Sequence, residues 1–316
     1  MMKLYLDRLT TEQRNERTRD IDQASTVGML EMMNDEDQLI AAAVRQAIPD
    51  IGRAVDTIVD RFRRGGKLFY FGAGTSGRLG VLDASECPPT FGTDPELVQG
   101  VIAGGDTAIR TAIEGAEDNE ALGAEDVARC GVGADDVLVG IAASGRTPYV
   151  IGAMKRAREA GAAVVCVCNN ANSAMREHAD VAIEVVVGPE VVLGSTRLKA
   201  GTAQKMVLNM LTTASFIQMG KVYGNLMVDL RATNVKLVNR AKQMIRMATG
   251  APDEAVERAF KATGGDVKTA VVMIATNSPI ERAAKLLEQA GGFVREAIRL
   301  GAPEKPTDRR ISGDTP

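Results

Sequence analysis

The chain of 316 residues has no tryptophan, one histidine and only 3% aromatic residues. So few aromatic side chains leave little surface on which nucleic-acid bases could stack. The formal net charge of −3 gives no overall attraction to nucleic acid or to an anionic membrane. No apolar run approaches the length of a membrane span. We therefore expect neither nucleic acid nor a membrane as a partner.

The single histidine, His178, limits the available chemistry. It excludes a metal site built from several histidines, and a Ser-His-Asp triad could use only this residue. His178 lies in the polar segment 175–180, so we expect it to be solvated. Acid–base chemistry therefore falls to carboxylates, and no residue spacing resembles a zinc site.

The cysteines are few, and nothing suggests that they form disulfides. Cys166 and Cys168 lie in an apolar run that predicts a buried strand, and the chain shows no secretory signal. Asp7 and Arg8 would interrupt a signal-peptide core, so a cytoplasmic location is the expectation. We predict that the cysteines act as small buried hydrophobic residues.

Apolar strands alternate with helical stretches from residue 67 to about 187. The predicted strands cover residues 67–71, 96–103, 136–141, 163–168 and 181–187. This alternation predicts an α/β fold with a doubly wound parallel sheet. Nearly continuous apolar runs such as 137–141 are typical of strands covered on both faces.

Helical patterns flank the predicted sheet. We expect a helical N-terminal arm over residues 1–50, the sheet domain over 51–225, a C-terminal helical region over 226–300 and a disordered tail over 301–316. The individual helices are predicted at residues 35–46, 49–63, 196–219 and 227–248, and a small bundle of three or four short helices follows over 253–300. The tail is short of apolar residues, which is typical of disorder.

Two loops rich in glycine and hydroxyl groups follow predicted strands. The first loop is Gly72-Ala-Gly-Thr-Ser-Gly77, and the second is Ala142-Ala-Ser-Gly-Arg-Thr-Pro148. A strand that leads through such a loop into a helix presents N–H groups and hydroxyls to an anion. Two such loops in one parallel sheet suggest a single phosphorylated ligand at the carboxyl ends of the strands. For the first loop, a plain glycine turn is the alternative.

The hydroxyl-bearing residues of these loops are candidate ligand-binding residues. They are Thr75 and Ser76 in the first loop, and Ser144 and Thr147, with Gly145, in the second. Thr147 stands before Pro148, as an N-cap residue does, so it could simply cap its helix. A third segment, residues 194–202, contains Ser195 and two cationic residues. It closes the same site or only caps the long helix.

Glu86 is the first candidate catalytic carboxylate. In the helix predicted after the first loop, Leu79, Leu82 and Glu86 fall on one stripe at the helical period, and the helix is expected to end at Pro88-Pro89. A carboxylate on an apolar stripe must be paired, protonated or functional, because burial of a lone charge is costly. A structural ion pair is the alternative reading.

Glu117 is the second candidate carboxylate. A helix is predicted over residues 107–117, with an inner face of Ile109, Ala112, Ile113 and Ala116. Glu117 borders that face, whereas Glu114 points further toward solvent. Glu117 is therefore the better candidate, with a capping or surface role as the alternative.

These motifs resemble those of the N-acetylmuramic acid 6-phosphate etherase family over roughly residues 8–300. The residues that carry the resemblance are 72–80 (GAGTSGRLG), 83–89 (DASECPP), 114–118 (EGAED), 142–149 (AASGRTPY), 195–205 (STRLKAGTAQK) and 224–229 (GNLMVD). The core resembles the sugar isomerase (SIS) domain, and the C-terminal bundle resembles a ubiquitin-associated-like domain.

The resemblance implies cleavage of the D-lactyl ether of N-acetylmuramic acid 6-phosphate, by elimination of lactate and addition of water, in cell-wall amino-sugar recycling. It implies that Glu86 is the proton donor and Glu117 the second catalytic acid or base, with no metal or redox cofactor. Thr75, Ser76, Ser144 and Thr147 would hold the phosphate or sugar hydroxyls. A homodimer with active sites near the subunit interface is expected.

Two other functions remain open at this point. The regulatory protein of glucokinase is a non-enzymatic relative, so a sensor of sugar phosphates is one alternative. A sugar-phosphate isomerase on the same fold is the other. Release of D-lactate would distinguish an etherase from both.

Overall fold

The fold is described from a computed structural model, which covers residues 9–230 and 234–302. The described chain divides into two compact units, Met1–Gln218 and Met219–Pro316. The division into four parts made above stays a prediction, and the tail from residue 303 onward lies outside the described residues. No helix among the described residues is both long and apolar enough to cross a membrane.

The first unit is built around a five-stranded parallel sheet, which confirms the predicted α/β fold. Its strands are β1 (Leu68–Gly72), β2 (Val98–Ile102), β3 (Val137–Ala142), β4 (Ala163–Cys168) and β5 (Val181–Glu184), in the order β2-β1-β3-β4-β5. Every residue of β1, β3 and β4 is buried, as expected of central strands.

Seven helices accompany the sheet in the described part of this unit. They are α1 (Thr26–Gln46), α2 (Ile48–Arg63), α3 (Gly74–Phe91), α4 (Thr107–Arg110), α5 (Glu120–Cys130), α6 (Pro148–Glu159) and α7 (Lys199–Gln218). Helices α5 and α6 cover one face of the sheet, where Phe71 stacks on Tyr149 with ring centroids 6.4 Å apart. On the other face α2, α3 and α7 meet where Phe216 lies between Phe62 and Phe91.

The N-terminal arm differs from its prediction in two ways. Helix α1 begins at Thr26 rather than at residue 35, because Ser25 caps it by accepting a hydrogen bond from the N–H of Gly28. The segment before it forms short 3-10 turns and packs on the same chain. Thr11 and Thr18 are almost fully buried there, although the sequence showed no core for the arm to join.

The second unit is mostly helical. A two-stranded hairpin of β6 (Val222–Tyr223) and β7 (Leu226–Met227) precedes α8 (Val235–Thr249), α9 (Asp253–Ala262), α10 (Val267–Thr276), α11 (Ile280–Gln289) and α12 (Val294–Gly301). The helix predicted from residue 227 therefore begins later, at Val235, where Asn234 caps it. The core of this unit includes the buried residues Val256, Ala259, Val267, Ala270, Val271 and Leu286, with Phe260 and Ile274 partly buried at its margin.

Three of the four cysteines are buried as predicted, and all four are free thiols. Cys130 is half-buried. Burial raises the pKa of the Cys87 thiol to about 12, with the nearby Asp83 carboxylate acting in the same direction. Such a thiol stays protonated and unreactive at neutral pH, which fits a packing role.

The close approach of α5 and α6 gives a test of this packing. A Cβ atom added to Gly152 would lie only 1.9 Å from the backbone carbonyl oxygen of Glu120. We expect Gly152→Ala to lower the free energy of unfolding by at least about 2 kcal/mol, because the two helices would have to separate.

Gly52 is the matched control, since it lies inside α2 with nothing within 4 Å of an added Cβ. Gly52→Ala should raise the free energy of unfolding by about 0.5–1 kcal/mol through helix propensity alone. Urea unfolding of both variants checks the prediction, and equal effects would contradict it.

Candidate functional site

The candidate site lies where the strand order reverses, between β1 and β3. In the parallel register Gly72 at the end of β1 pairs with Ile141 of β3 and with Ile102 of β2. The loops after these strands therefore leave the sheet side by side at its carboxyl edge. Ligands of open α/β sheets bind in the crevice at this switch point.

The first loop is short, because α3 begins at Gly74. Thr75 and Ser76 thus lie in the first turn of α3, and no side chain caps this helix. Its first N–H groups are free to meet an anion. Thr75 is half-buried. Ser76 is buried and donates its hydroxyl to Oε1 of Gln204 at 2.9 Å.

The second loop holds Ser144, Gly145 and Thr147 between β3 and α6. Gly145 has a φ of +69°, and a Cβ there would lie 2.5 Å from the Cβ of Ser173, so only glycine fits. Ser144 is half-buried, and its Oγ accepts a hydrogen bond from the N–H of Arg146 at 3.4 Å. Thr147 occupies the N-cap position of α6, but its hydroxyl makes no capping hydrogen bond. That hydroxyl is therefore not used by the helix.

The third segment leads into α7, which begins at Lys199 rather than at residue 196. The Glu190 carboxylate caps α7 by accepting the N–H groups of Lys199 at 2.9 Å and Ala200 at 3.0 Å. Burial raises the pKa of Glu190, against the effect of these hydrogen bonds. Ser195 is half-buried in the loop between this carboxylate and the helix.

One of the two cationic side chains of this segment, Lys199, forms a buried ion pair. The ammonium group of Lys199 lies 2.5 Å from Oε2 of Glu36 in α1, and both side chains are almost fully buried. Burial alone would raise the pKa of Glu36, but the hydrogen bond and charge of Lys199, with Asn15 and Arg17, lower it. Lys199 therefore joins α1 to α7 and is not free for a ligand.

The helix predicted over residues 107–117 is wrong. Helix α4 ends at Arg110, Thr111 is extended, and Gly115 has a φ of +73° before a single 3-10 turn over Ala116–Asp118. The apolar residues have a helical spacing, but they do not form the buried face of a helix. Ile113, for example, is 42% exposed. Glu117 thus lies on a loop.

A small pocket of about 180 Å³ is lined by residues of both this loop and the first loop. It is lined by Ala73, Gly74, Arg78, Ala103, Ala108, Ala112, Ile113, Glu114, Gly115, Ala116 and Glu117. Arg78 of α3 holds the loop by donating from Nε to the carbonyl of Ile109 and from Nη2 to that of Ala108, both at 2.8 Å. Glu114 and Glu117 therefore line the same pocket as the start of α3.

The stripe that carries Glu86 is exposed, contrary to the prediction. Leu82 is 46% exposed, and Glu86 is exposed beside it. Glu86 lies twelve residues after Gly74, or about 18 Å along α3 at 1.5 Å per residue. Helix α3 also continues through Pro88-Pro89 to Phe91. The structure therefore does not bring Glu86 into the pocket that Glu117 lines in the same chain.

The buried carboxylate of α3 is Asp83, which the sequence argument missed. It accepts hydrogen bonds from the Tyr70 hydroxyl at 2.9 Å, the Asn209 amide at 2.7 Å and the Thr212 hydroxyl at 3.3 Å. Burial raises the pKa of Asp83, although these three donors act against it. A stripe of small residues, Gly80, Ala84 and Cys87, marks this face in the sequence and could have indicated it.

The comparisons with known proteins identify the family of this chain. Residues 50–158 match the family model of the N-terminal SIS domain of glucokinase regulatory protein, and residues 125–214 match that of the SIS domain. An N-acetylmuramic acid 6-phosphate etherase of Mycolicibacterium smegmatis is 56% identical over 85% of this chain and 90% of its own length. The chain belongs to the N-acetylmuramic acid 6-phosphate etherase family. A Bacillus licheniformis etherase is 53% identical over 87% of this chain and 90% of its own.

Solved structures of similar proteins are more distant from this etherase-family chain. The phosphoheptose isomerase of Neisseria gonorrhoeae is 21% identical, with a TM-score of 0.45 over 59% of this chain and 97% of its own. Within residues 9–230 and 234–302, no group of three or more His, Cys, Asp or Glu residues is arranged to hold a metal ion.

The hydrogen bonds of Asp83 can be tested by two substitutions. Asp83→Ala should lower the free energy of unfolding by about 2–4 kcal/mol, because it leaves buried donors without an acceptor. Asp83→Asn keeps the shape and one acceptor oxygen, so its cost should be smaller.

The pH dependence gives a second readout for Asp83. Its pKa is raised in the folded state, so the stability it contributes is greatest at acidic pH and is lost as pH rises through the folded value. The advantage of the wild type over Asp83→Asn should therefore shrink as pH rises from about 4. An advantage that grows with pH in urea unfolding would contradict this.

Proposed function

We propose that this chain cleaves the D-lactyl ether of N-acetylmuramic acid 6-phosphate to N-acetylglucosamine 6-phosphate and D-lactate. The observation that carries the proposal is the 53–56% identity, over at least 85% of the chain, to proteins that bear this activity as their name. The chain is an enzyme of the lyase type. Neither the sensor nor the isomerase alternative is favoured by these relatives.

The phosphate and sugar hydroxyls would bind at the switch point. The uncapped first turn of α3 offers N–H groups and the Thr75 hydroxyl, and the second loop offers the hydroxyls of Ser144 and Thr147. Gly145 lets the loop turn there. The Ser76 hydroxyl is given to Gln204, so Ser76 would act by accepting a hydrogen bond. Ser195 would approach from the loop before α7.

Elimination of lactate and addition of water each need one proton removed and one proton delivered. In the open-chain sugar, the C1 aldehyde acidifies the proton on C2, which a carboxylate base removes. The C3–O bond then breaks, and the departing lactate oxygen takes a proton from a carboxylic acid. Water adds across the resulting C2=C3 bond, with hydroxide on C3 and a proton on C2. We assign proton donation to Glu86 and the second acid–base role to Glu117.

A homodimer would bring Glu86 of one subunit close to Glu117 of the other. Glu86 lies on α3 about 18 Å from the first loop, at an exposed position. A shallow groove of about 420 Å³ on α7 is lined in part by Met206, Met210 and Ile217. Leu82 is 46% exposed and Ile217 is 50% exposed. Apolar residues that are covered at a subunit contact are exposed in this way when one chain is considered alone. We propose that each active site takes Glu117 from one subunit and Glu86 from the other.

We also propose a cytoplasmic location. The substrate is a charged sugar phosphate, which does not cross a membrane unaided because transfer of a charge into hydrocarbon is costly. The enzyme would therefore work in the compartment where that sugar is phosphorylated.

The catalytic assignment is tested by D-lactate release from N-acetylmuramic acid 6-phosphate. Glu86→Gln and Glu117→Gln should each lower kcat by about 10²–10⁴-fold, the usual contribution of a general acid or base. Glu114→Gln is the matched control, since Glu114 lines the same pocket as Glu117. Its kcat should stay within a few-fold of wild type, and a larger loss for Glu114→Gln than for Glu117→Gln would reverse the assignment.

The shared site is tested by mixing the two inactive variants. Subunits of Glu86→Gln and Glu117→Gln that exchange at random give mixed dimers in half of the cases. Each mixed dimer has one site with both native carboxylates, so about a quarter of the wild-type activity should return. If differently tagged subunits co-purify as mixed dimers while lactate release stays at the level of the parents, each site lies within one chain.

A further inference from the structure

The segment before α1 lies against loops at the carboxyl edge of the sheet. We define the N-terminal strap as residues 10–18. Its side chains form hydrogen bonds with two of those loops, the one after β4 and the one between β5 and α7. Thr10 and Thr11 contact Asn170 after β4, Asn15 donates to the carbonyl of Pro189 at 3.5 Å, and Thr18 donates to that of Val191 at 2.9 Å.

Asn170 is the centre of this arrangement, and its amide group is fully hydrogen-bonded. Its Oδ1 accepts from the Thr10 hydroxyl at 2.9 Å and from the Thr11 N–H at 3.5 Å. Its Nδ2 donates to the Thr11 hydroxyl oxygen at 3.0 Å and to the carbonyl of Ala143 at 3.0 Å. Asn170 is only 2% exposed and Thr11 is fully buried. The strap therefore fixes the orientation of this amide.

The hydrogen bond from Nδ2 of Asn170 to the carbonyl of Ala143 reaches the second loop. Ala143 immediately precedes Ser144, and its carbonyl accepts from both the Asn170 side chain and the Asn169 N–H, each at 3.0 Å. The N–H of Met175 holds the carbonyl of Gly145 at 3.0 Å from the same side. The backbone around Ser144 is thus held by the segment that follows β4, and that segment is held by the strap.

We propose that Thr11 and Asn170 are positioning residues for the sugar phosphate, through which the strap sets the second loop in its binding conformation. This rests on the proposed role of Ser144 and Thr147. A buried amide whose partners are all present admits one orientation, because a turned amide would set its NH₂ group against the Thr11 N–H. The loop that binds the ligand would then be ordered before the ligand arrives, which lowers the cost of binding.

The test compares Thr11→Val with Thr11→Ser. Thr11→Val keeps the shape but removes the acceptor for Asn170, so KM for N-acetylmuramic acid 6-phosphate should rise about 5- to 10-fold, with kcat changed less than about twofold. Thr11→Ser keeps the hydroxyl and should restore KM to near the wild-type value. A KM that Thr11→Val leaves unchanged would overturn the proposal.

Ile40→Val controls for lost stability. Ile40 is a buried residue of α1, and the change should destabilise the fold by an amount typical of one lost methylene group. Its KM should equal that of the wild type. If Ile40→Val raises KM as much as Thr11→Val does, the strap acts through general stability and the proposal fails.

Ser144→Ala distinguishes the positioning role of the strap from the proposed binding role of the second loop. If Ser144→Ala leaves KM unchanged, the second loop does not bind the sugar phosphate and the proposed function of that loop fails. If it raises KM while Thr11→Val does not, only the positioning role fails. With both roles correct, the double variant should raise KM by less than the product of the two single effects. Calorimetric binding of N-acetylglucosamine 6-phosphate gives the same comparison without turnover.

Discussion

The parallel register of the three strands β2, β1 and β3 is the constraint on which the site depends. Because Gly72 pairs with both Ile102 and Ile141, three chain segments leave the sheet at one edge. The strand order reverses there, so the crossing helices diverge and leave a crevice between the first and second loops. Each further element of the site is placed relative to that edge.

Buried polar groups then fix the elements around the crevice. Asp83 joins α3 to β1 and α7, the Lys199–Glu36 pair joins α7 to α1, and Asn170 joins the strap to the second loop. Each group is buried and has its partners, and a misplaced element would leave a donor or a charge unpaired. Hydrophobic packing alone tolerates small shifts, so these contacts define positions that apolar contacts leave free.

The errors made from the sequence share one physical cause. The spacing of Ile109, Ala112 and Ile113 satisfied a helical period, but period alone does not reveal whether a face is covered. The same holds for Leu82 and Glu86, whose stripe faces outward from this chain while the small residues beside Asp83 face the sheet. Small residues mark a buried helix face here because α3 packs closely on β1.

The sequence by itself determined the five strands, the sheet class, the short helices of residues 253–300 and the family, because these depend on local periodicity and on motifs that are contiguous in the chain. It also indicated the two glycine-rich loops at the carboxyl ends of β1 and β3, since each follows its strand directly. Only the tertiary structure decided that Arg78 holds the Glu117 loop, that Glu86 lies far along α3 and that the strap reaches Asn170. These contacts join residues up to 160 positions apart, and no local pattern encodes which distant side chains will meet.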